Sequence, residues 1–145
     1  MAKDAAFVAK KLDEVNLSVV ENLQQKAFIL NTMVRLCHGN SWNAGWYHDV
    51  ETGTPLKMNI GERLMLIVSE LVEGFEANRK DLMDDHLPNR SGIEAELADA
   101  VIRIFDLAVY LNLDLGGAII DKMEYNRKRP DHTIEARKGK HGKKC

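Results

Sequence analysis

Two pairs of acidic residues lie inside long runs of helix-favouring residues. The pairs are Glu70-x-x-Glu73 and Glu96-x-x-Asp99, and 22 residues separate them. Side chains three positions apart share one face of a helix, so each pair directs two carboxylates the same way. The neighbouring residues are rich in Ile, Leu and Val, so we expect these faces to point inward. Burying four carboxylates is very costly, and a hard divalent cation, Mg²⁺ or Mn²⁺, is the simplest remedy.

The alternative for each pair is an ordinary solvated helix face. The second acidic face continues through Arg103, which either orients a metal-binding carboxylate or forms a local salt bridge to Asp99 or Asp106. Glu76 extends the first face by one more step, and we interpret it as a surface acid. The apolar context favours the metal site over the solvated face.

Helical periodicity and capping residues predict an all-α bundle of four or five helices. No run shows the alternation of a half-buried strand. We expect one domain over residues 1–130, followed by a basic, flexible tail over 131–145. The segment 38–58 is rich in turn-forming residues and is predicted to be a loop. The predicted helices cover 7–36 (as one helix or two), 60–80 with Asn59 as cap, 92–113 with Ser91 as cap, and 115–129 with Asp114 as cap and Pro130 beyond the end.

Charge and cysteine usage exclude several classes of protein. The formal net charge is −2, which argues against binding to a nucleic acid polymer. Two cysteines, one of them the last residue, do not make a disulfide framework, so a reducing cytoplasm is expected. No apolar run is long enough to span a membrane, and the first residues lack a signal-peptide pattern.

The last predicted helix carries the opposite charge. Lys122, Asn126 and Arg129 are spaced to share one face, and Arg127 is close by. A cationic face opposite the carboxylates is what a metal–polyphosphate substrate requires. The alternative is a basic last turn that interacts favourably with the helix dipole.

These motifs together resemble the MazG-like all-α nucleoside triphosphate pyrophosphohydrolases, over residues 59–130. The resemblance rests on the two acidic pairs, their spacer and the Lys122-x-x-x-Asn126 element. Phage-encoded members carry a His-Gly-Asn-rich segment similar to 38–55. The resemblance implies Mg²⁺-dependent hydrolysis of a (d)NTP to (d)NMP and pyrophosphate by homodimers or homotetramers. It also implies metal ligation by Glu70, Glu73, Glu96 and Asp99, and contacts of Lys122 and Asn126 with phosphate or sugar.

A mechanism follows as a hypothesis. A motif carboxylate that is not fully used in ligation, with Glu73 as the candidate, accepts a proton from the attacking water, and Glu73 and Glu70 are the predicted catalytic residues. Lys122, Arg127 and Arg129 stabilise the leaving pyrophosphate. Ser69 departs from the family pattern, since many members have an additional Glu at that position.

The segment after residue 37 is a candidate base pocket because it is dense in aromatic and amide side chains. Trp42 or Trp46 could stack on a base, Asn43 could read its edge, and His38 lies beside them. The equal alternative is a loop anchored to the bundle by its Trp side chains. A purine deoxynucleotide such as dGTP is slightly favoured, because such a loop can hold a large base.

Three other functions compete with hydrolysis. A di-iron or di-manganese carboxylate bundle is disfavoured because it requires Glu-x-x-His motifs, which the acidic positions lack. A non-catalytic nucleotide-binding sensor would keep the bundle without turnover. A helical protein-interaction module would use its acidic face to bind a basic partner and would need no metal.

Overall fold

The computed structural model describes residues 23–138, and every structural statement below concerns that part of the chain. The prediction of an all-α fold is confirmed there, since no strand occurs between those limits and the β-bridges are isolated. The first half of the first predicted helix, 7–22, lies outside the described residues. The helices are α1 (Leu23–Asn43), α2 (Ile60–Lys80), α3 (Gly92–Tyr110), α4 (Leu115–Lys128) and α5 (Ile134–Lys138), with a 3₁₀ turn at Pro130–His132 between the last two.

The predicted end of α1 at Leu36 was wrong. The helix continues for two more turns to Asn43, through residues that the sequence assigned to a loop. Tertiary contacts override the local turn preferences there, since the His38 ring lies 2.8 Å from the Asp106 carboxylate of α3 and packs on Tyr47. The loop that follows therefore starts after Asn43 rather than at His38.

The boundaries of α2 agree with the prediction, and α3 begins at the predicted residue but ends at Tyr110, three residues before the predicted end at 113. The Asn59 side chain accepts a hydrogen bond from the backbone N–H of Glu62, and Asp81 ends α2 in a left-handed conformation. Ser91 stands at the N-cap of α3 but makes no side-chain cap hydrogen bond. Glu94, which stands three residues after Ser91 where a capping box would place an acidic partner, forms an ion pair with Arg90 at 2.6 Å.

The helices pack in the order α2, α3, α1, α4. The most extensive contacts join α2 to α3, and α1 contacts both α3 and α4. Small residues allow α2 and α3 to approach closely: a Cβ atom on Gly92 would meet the Ala77 side chain at 2.7 Å, and one on Gly74 would meet Glu96 Cβ at 3.2 Å. This close approach is what brings carboxylates from the two helices together.

Asn31 joins α1 to the start of α4. Its amide nitrogen donates to Asp114 at 2.7 Å, and its amide oxygen accepts the backbone N–H of Gly116 at 2.9 Å. Asp114 also accepts from Gly117, so it caps α4 as predicted, and the helix ends just before Pro130. Beyond it, the predicted flexible tail contains the 3₁₀ turn and α5, while residues 139–145 lie outside the described range.

Many large apolar side chains of α2 remain exposed. Val68, Leu71, Val72 and Phe75 form a stripe at helical spacing, and Phe75 is 63% exposed. Most of this α2 stripe is turned away from the buried residues Ile67 and Ala77, and Leu71 lies at the boundary because it is four residues after Ile67. None of the described helices combines the length and the apolar content needed to cross a membrane.

Candidate functional site

Three of the four predicted acidic ligands lie together at the α2–α3 contact. Oxygen atoms of Glu70, Glu96 and Asp99 all lie within 4.8 Å of one another. Glu70 comes from α2, and the other two come from successive turns of α3. We call these three residues the acidic cluster.

The acidic cluster does not match the expectation of four buried carboxylates. Glu70 is buried, Glu96 is partly exposed, and Asp99 is exposed. Glu73 is exposed and lies outside the cluster. Glu73 lies about one turn after Glu70 on α2. Because only the Glu70 side chain points into the α2–α3 contact, Glu70 is the one buried member of the pair. Glu73 still contributes its charge to the site, because it raises the pKa of Glu96.

The electrostatics of the cluster favour either a proton or a cation. Burial, a hydrogen bond with Glu70 and the negative charges of Glu73, Glu70 and Asp99 all raise the pKa of Glu96. A hydrogen bond between two carboxyl groups requires a proton on one of them, and a divalent cation would remove that requirement. The all-oxygen donor set fits a hard ion such as Mg²⁺ or Mn²⁺.

Arg103 fixes one member of the cluster. Its Nε donates to Glu70 Oε1 at 2.7 Å, across the α2–α3 contact. This is the orienting role that the sequence suggested, but the partner lies on the neighbouring helix rather than at Asp99 or Asp106. The ion pair supplies the counter-charge for the most buried acid of the site and leaves the other two carboxylates available.

A cleft of about 630 Å³ opens beside the acidic cluster. Asp99 and Arg103 belong to its wall, so the cluster and the cleft are continuous. Further along, the wall is formed by Arg63 of α2, Asp106 of α3 and Trp46 of the loop after α1. The cleft therefore has one end beside the acidic cluster and another where the charged side chains of Arg63, Glu62 and Asp106 and the aromatic Trp46 meet.

Asp106 organises the second end of the cleft. It is 6% exposed, and its carboxylate accepts hydrogen bonds from the Tyr47 hydroxyl and from His38. Burial and the hydrogen bond to Asp106 raise the pKa of Tyr47 well above its usual value. The Tyr47 ring stacks on Tyr110 with centroids 5.6 Å apart. Tyr47 thus anchors the loop to the bundle.

The predicted base-binding residues occupy different surroundings. Trp46 lines the cleft and is 63% exposed. Trp42 instead stacks on Tyr47, with ring planes 16° apart. His38 is engaged with Asp106, and Asn43 is exposed at the end of α1. Of the four, Trp46 is the one that the structure places on the cleft wall, and the loop anchor is Tyr47 rather than a Trp.

The expected cationic face opposite the acids is not formed within one chain. The residues predicted to form this face lie on or just beyond α4, and they are Lys122, Asn126, Arg127 and Arg129. Helix α4 packs against α1, whereas the cleft wall comes from α1, the loop, α2 and α3. Arg127 pairs with Glu124, and Arg129 pairs with Asp131. Lys122 Nζ lies 4.8 Å from the centre of the Tyr125 ring, and the side-chain oxygen of Asn126 is buried without a hydrogen-bond partner.

Sequence reasoning missed the importance of three residues at the cleft. No motif surrounds Arg63, and nothing in the sequence distinguishes Tyr47 from the other aromatic residues near it. Asp106 was recognised as part of the acidic face of α3 but not as a buried centre. A signal existed in the spacing, because Arg63 and Glu70 are seven residues apart, as are Asp99 and Asp106.

Comparisons of the chain with protein-family models, with curated proteins and with solved structures gave no match. The case for a function therefore depends on the geometry of the acidic cluster and the cleft beside it.

Proposed function

We propose that the protein is a metal-dependent nucleotide pyrophosphohydrolase that acts in the cytoplasm. It would convert a (d)NTP, with a purine deoxynucleotide such as dGTP slightly favoured, to the monophosphate and pyrophosphate. The observation that carries the proposal is the continuity of the acidic cluster with a cleft that ends at Arg63 and Trp46. An end that could hold a metal ion and an end that presents Arg63 and Trp46 would match the two chemically different ends of a nucleotide.

The residues of the acidic end would have distinct roles. Glu70, Glu96 and Asp99 would hold Mg²⁺ or Mn²⁺, which would offset phosphate charge and acidify water. Glu73, outside the cluster, keeps its carboxylate for accepting the proton of the attacking water. The water oxygen would bond to the α-phosphorus, the bond from that phosphorus to the bridging oxygen would break, and pyrophosphate would leave. Arg103 would keep Glu70 in its ligating position.

We further propose that the protein acts as a homodimer or homotetramer. The exposed α2 stripe offers an apolar surface for a second copy. Lys122 and Asn126 could then reach the phosphates from the partner, since α4 does not line the cleft of its own chain. Arg127 and Arg129 would contribute by exchanging their local carboxylate partners for phosphate oxygens.

A turnover panel tests the proposed reaction. Purified protein is mixed with each (d)NTP and (d)NDP in Mg²⁺, Mn²⁺ or EDTA, and the products are resolved as monophosphate, pyrophosphate or phosphate. We expect metal-dependent release of monophosphate and pyrophosphate. The variants Glu70→Gln and Glu73→Gln should abolish turnover, whereas Glu94→Gln on the exposed first turn of α3 should not. Wild-type protein that hydrolyses no nucleotide with either metal would contradict the proposal.

A second candidate function is a nucleotide sensor without turnover. It is favoured by the environment of Ser69, which stands where many of the enzymes that this chain resembles have an additional Glu. The Ser69 hydroxyl donates to the Leu66 carbonyl at 2.8 Å, so it bonds to its own helix rather than to the cluster. Metal-dependent nucleotide binding without product formation would support the sensor over the enzyme. A protein-interaction module would show neither.

A further inference from the structure

Two polar pairs repeat along the contact between α2 and α3. Glu70 lies beside Asp99, and Arg63 lies beside Asp106. On α2, Arg63 and Glu70 are seven residues apart, and the same separation holds for the two aspartates on α3. Seven residues are two turns, or about 10 Å along the helix axis. The helices run antiparallel, so one pair defines the acidic end of the cleft and the other its far end. A nucleotide whose phosphates are bound at the acidic end would place its base beside Arg63.

The Arg63 guanidinium is held in place but is not saturated with hydrogen bonds. Its Nη1 lies 3.9 Å from Asp106, which is too long for a hydrogen bond, and its Nη2 donates to the Met58 sulfur at 2.8 Å. The centre of the guanidinium lies 5.3 Å from the Tyr47 ring. Arg63 has five N–H donors, and a thioether is a weak acceptor. Most of its donor capacity is therefore available to a ligand in the cleft.

Asp106 holds Arg63 in place without neutralising it through a direct bond. His38 lies 2.8 Å from one of its oxygens, and the Tyr47 hydroxyl also donates a hydrogen bond to this carboxylate. Its buried negative charge still attracts the guanidinium, and the Arg63 side chain is 21% exposed. The arrangement restricts the rotamers of Arg63 before a ligand arrives, which lowers the entropic cost of binding.

We propose that Arg63 reads the base edge of the nucleotide and selects keto bases over amino bases, an inference that rests on the proposed function. Arg63 has donors and no acceptor, so it bonds to the keto oxygen of guanine, thymine or uracil. With guanine, a second N–H of the guanidinium can also donate to the ring nitrogen N7. Adenine and cytosine present an amino group at the same edge, and two donors facing each other cannot bond. Trp46 provides the stacking surface beside it.

The test measures kcat and KM of the full chain for dGTP against dATP and for dTTP against dCTP, with Mg²⁺. We expect kcat/KM to favour the keto base in each pair by about 5- to 100-fold. Arg63→Met should bring both ratios close to one, mainly by raising KM for the keto substrates. Arg63→Lys should keep part of the preference, since it retains the positive charge but loses the two parallel N–H donors of the guanidinium. Arg90→Met, which removes an exposed Arg far from the cleft wall, is the matched control and should change neither ratio.

Several outcomes would overturn the proposal while leaving the hydrolase function intact. One is a wild-type enzyme without keto preference, and another is an Arg63→Met enzyme in which all four substrates weaken equally. Thermal unfolding of each variant shows whether it is folded. If Arg63→Met is unfolded, the comparison of Arg63→Lys with wild type decides. If the wild type hydrolyses nothing, the same ratios are measured as Kd by equilibrium dialysis with Mn²⁺, and equal Kd values, or no binding, would refute the keto selection.

Discussion

Glu96 shows how a single side chain connects the stability of the protein to the proposed metal site. It shares a hydrogen bond with Glu70 and feels the negative charges of two more acids, and these contacts raise its pKa above the usual 4.5. The folded state therefore binds a proton at this position more readily than the unfolded state does. Such a residue weakens the metal-free fold when it is ionised.

Replacing Glu96 with Gln should change the pH dependence of stability. In the metal-free wild type, stability should decline as the pH rises from about 4.5 through the raised pKa of Glu96, because deprotonation restores the repulsion. Glu96→Gln should lack that decline and should unfold at a higher temperature than wild type at pH 7. The measurement is thermal unfolding in EDTA from pH 4 to pH 8.

When Mn²⁺ is added, the wild type should unfold at a higher temperature than Glu96→Gln. An ion at 100 times its Kd stabilises the folded state by about 2.7 kcal/mol, and the loss of one ligand removes part of this gain. Glu94→Gln, which alters an exposed acid outside the cluster, serves as the control and should respond to Mn²⁺ like wild type. A wild type that Mn²⁺ does not stabilise would count against the metal site.

At the scale of elements, the sequence was most informative where a local rule decides the structure, although the local cap expected at Ser91 makes no side-chain hydrogen bond. The Asn59 and Asp114 caps and the stop before Pro130 depend on contacts within a few residues, and these boundaries were predicted correctly. The end of α1 was missed because it depends on Asp106, which is 68 residues away from His38. The acidic pairs were found for a similar reason, since i,i+3 spacing is local. Which pair member faces the neighbouring helix was not predictable from spacing alone.

The junction of α1 and α4 provides a test of close helix packing. A Cβ atom on Gly116 would lie 2.6 Å from the Ala27 carbonyl oxygen and 2.7 Å from the Asn31 side chain. We expect Gly116→Ala to destabilise the protein by about 1–3 kcal/mol, because the backbone must move apart. Gly39→Ala is the matched control, since that helical site has open space around it.

The control substitution should change the free energy of unfolding in the opposite direction. Ala is favoured over Gly inside a helix by about 0.5–1 kcal/mol, so Gly39→Ala should stabilise the protein slightly. Chemical denaturation of both variants beside wild type measures the two changes in the free energy of unfolding. Equal effects of the two substitutions would mean that α1 and α4 are not in the close contact described above.

At the scale of the whole molecule, the exposed α2 stripe and the position of α4 raise the same question. One chain leaves large apolar side chains in contact with water and keeps its predicted phosphate-binding cations away from its own acids. A second copy would resolve both features, since it could cover the stripe and bring its own α4 to the cleft. Neither feature follows from the sequence, because helix order in space depends on long-range packing.

The proposed assembly predicts a defined response to charge on the stripe. Analytical ultracentrifugation of wild-type protein should show a dimer or tetramer, and Val72→Lys combined with Phe75→Lys should yield monomers with much lower activity. Val50→Lys changes an apolar residue of the loop that is 78% exposed and should leave the assembly intact. A wild type that sediments as a monomer would contradict the model of a shared site.

The two tryptophans of the chain give the molecule a built-in optical probe of the cleft. Trp42 packs beside Tyr47 and His48 and is 48% exposed, whereas Trp46 stands on the cleft wall and is 63% exposed. Indole emission moves to shorter wavelengths when water is excluded, so a molecule that enters the cleft should shift the light emitted by Trp46. A Trp42→Phe protein would isolate this signal and would allow cleft occupancy to be followed in real time, without labels and without turnover.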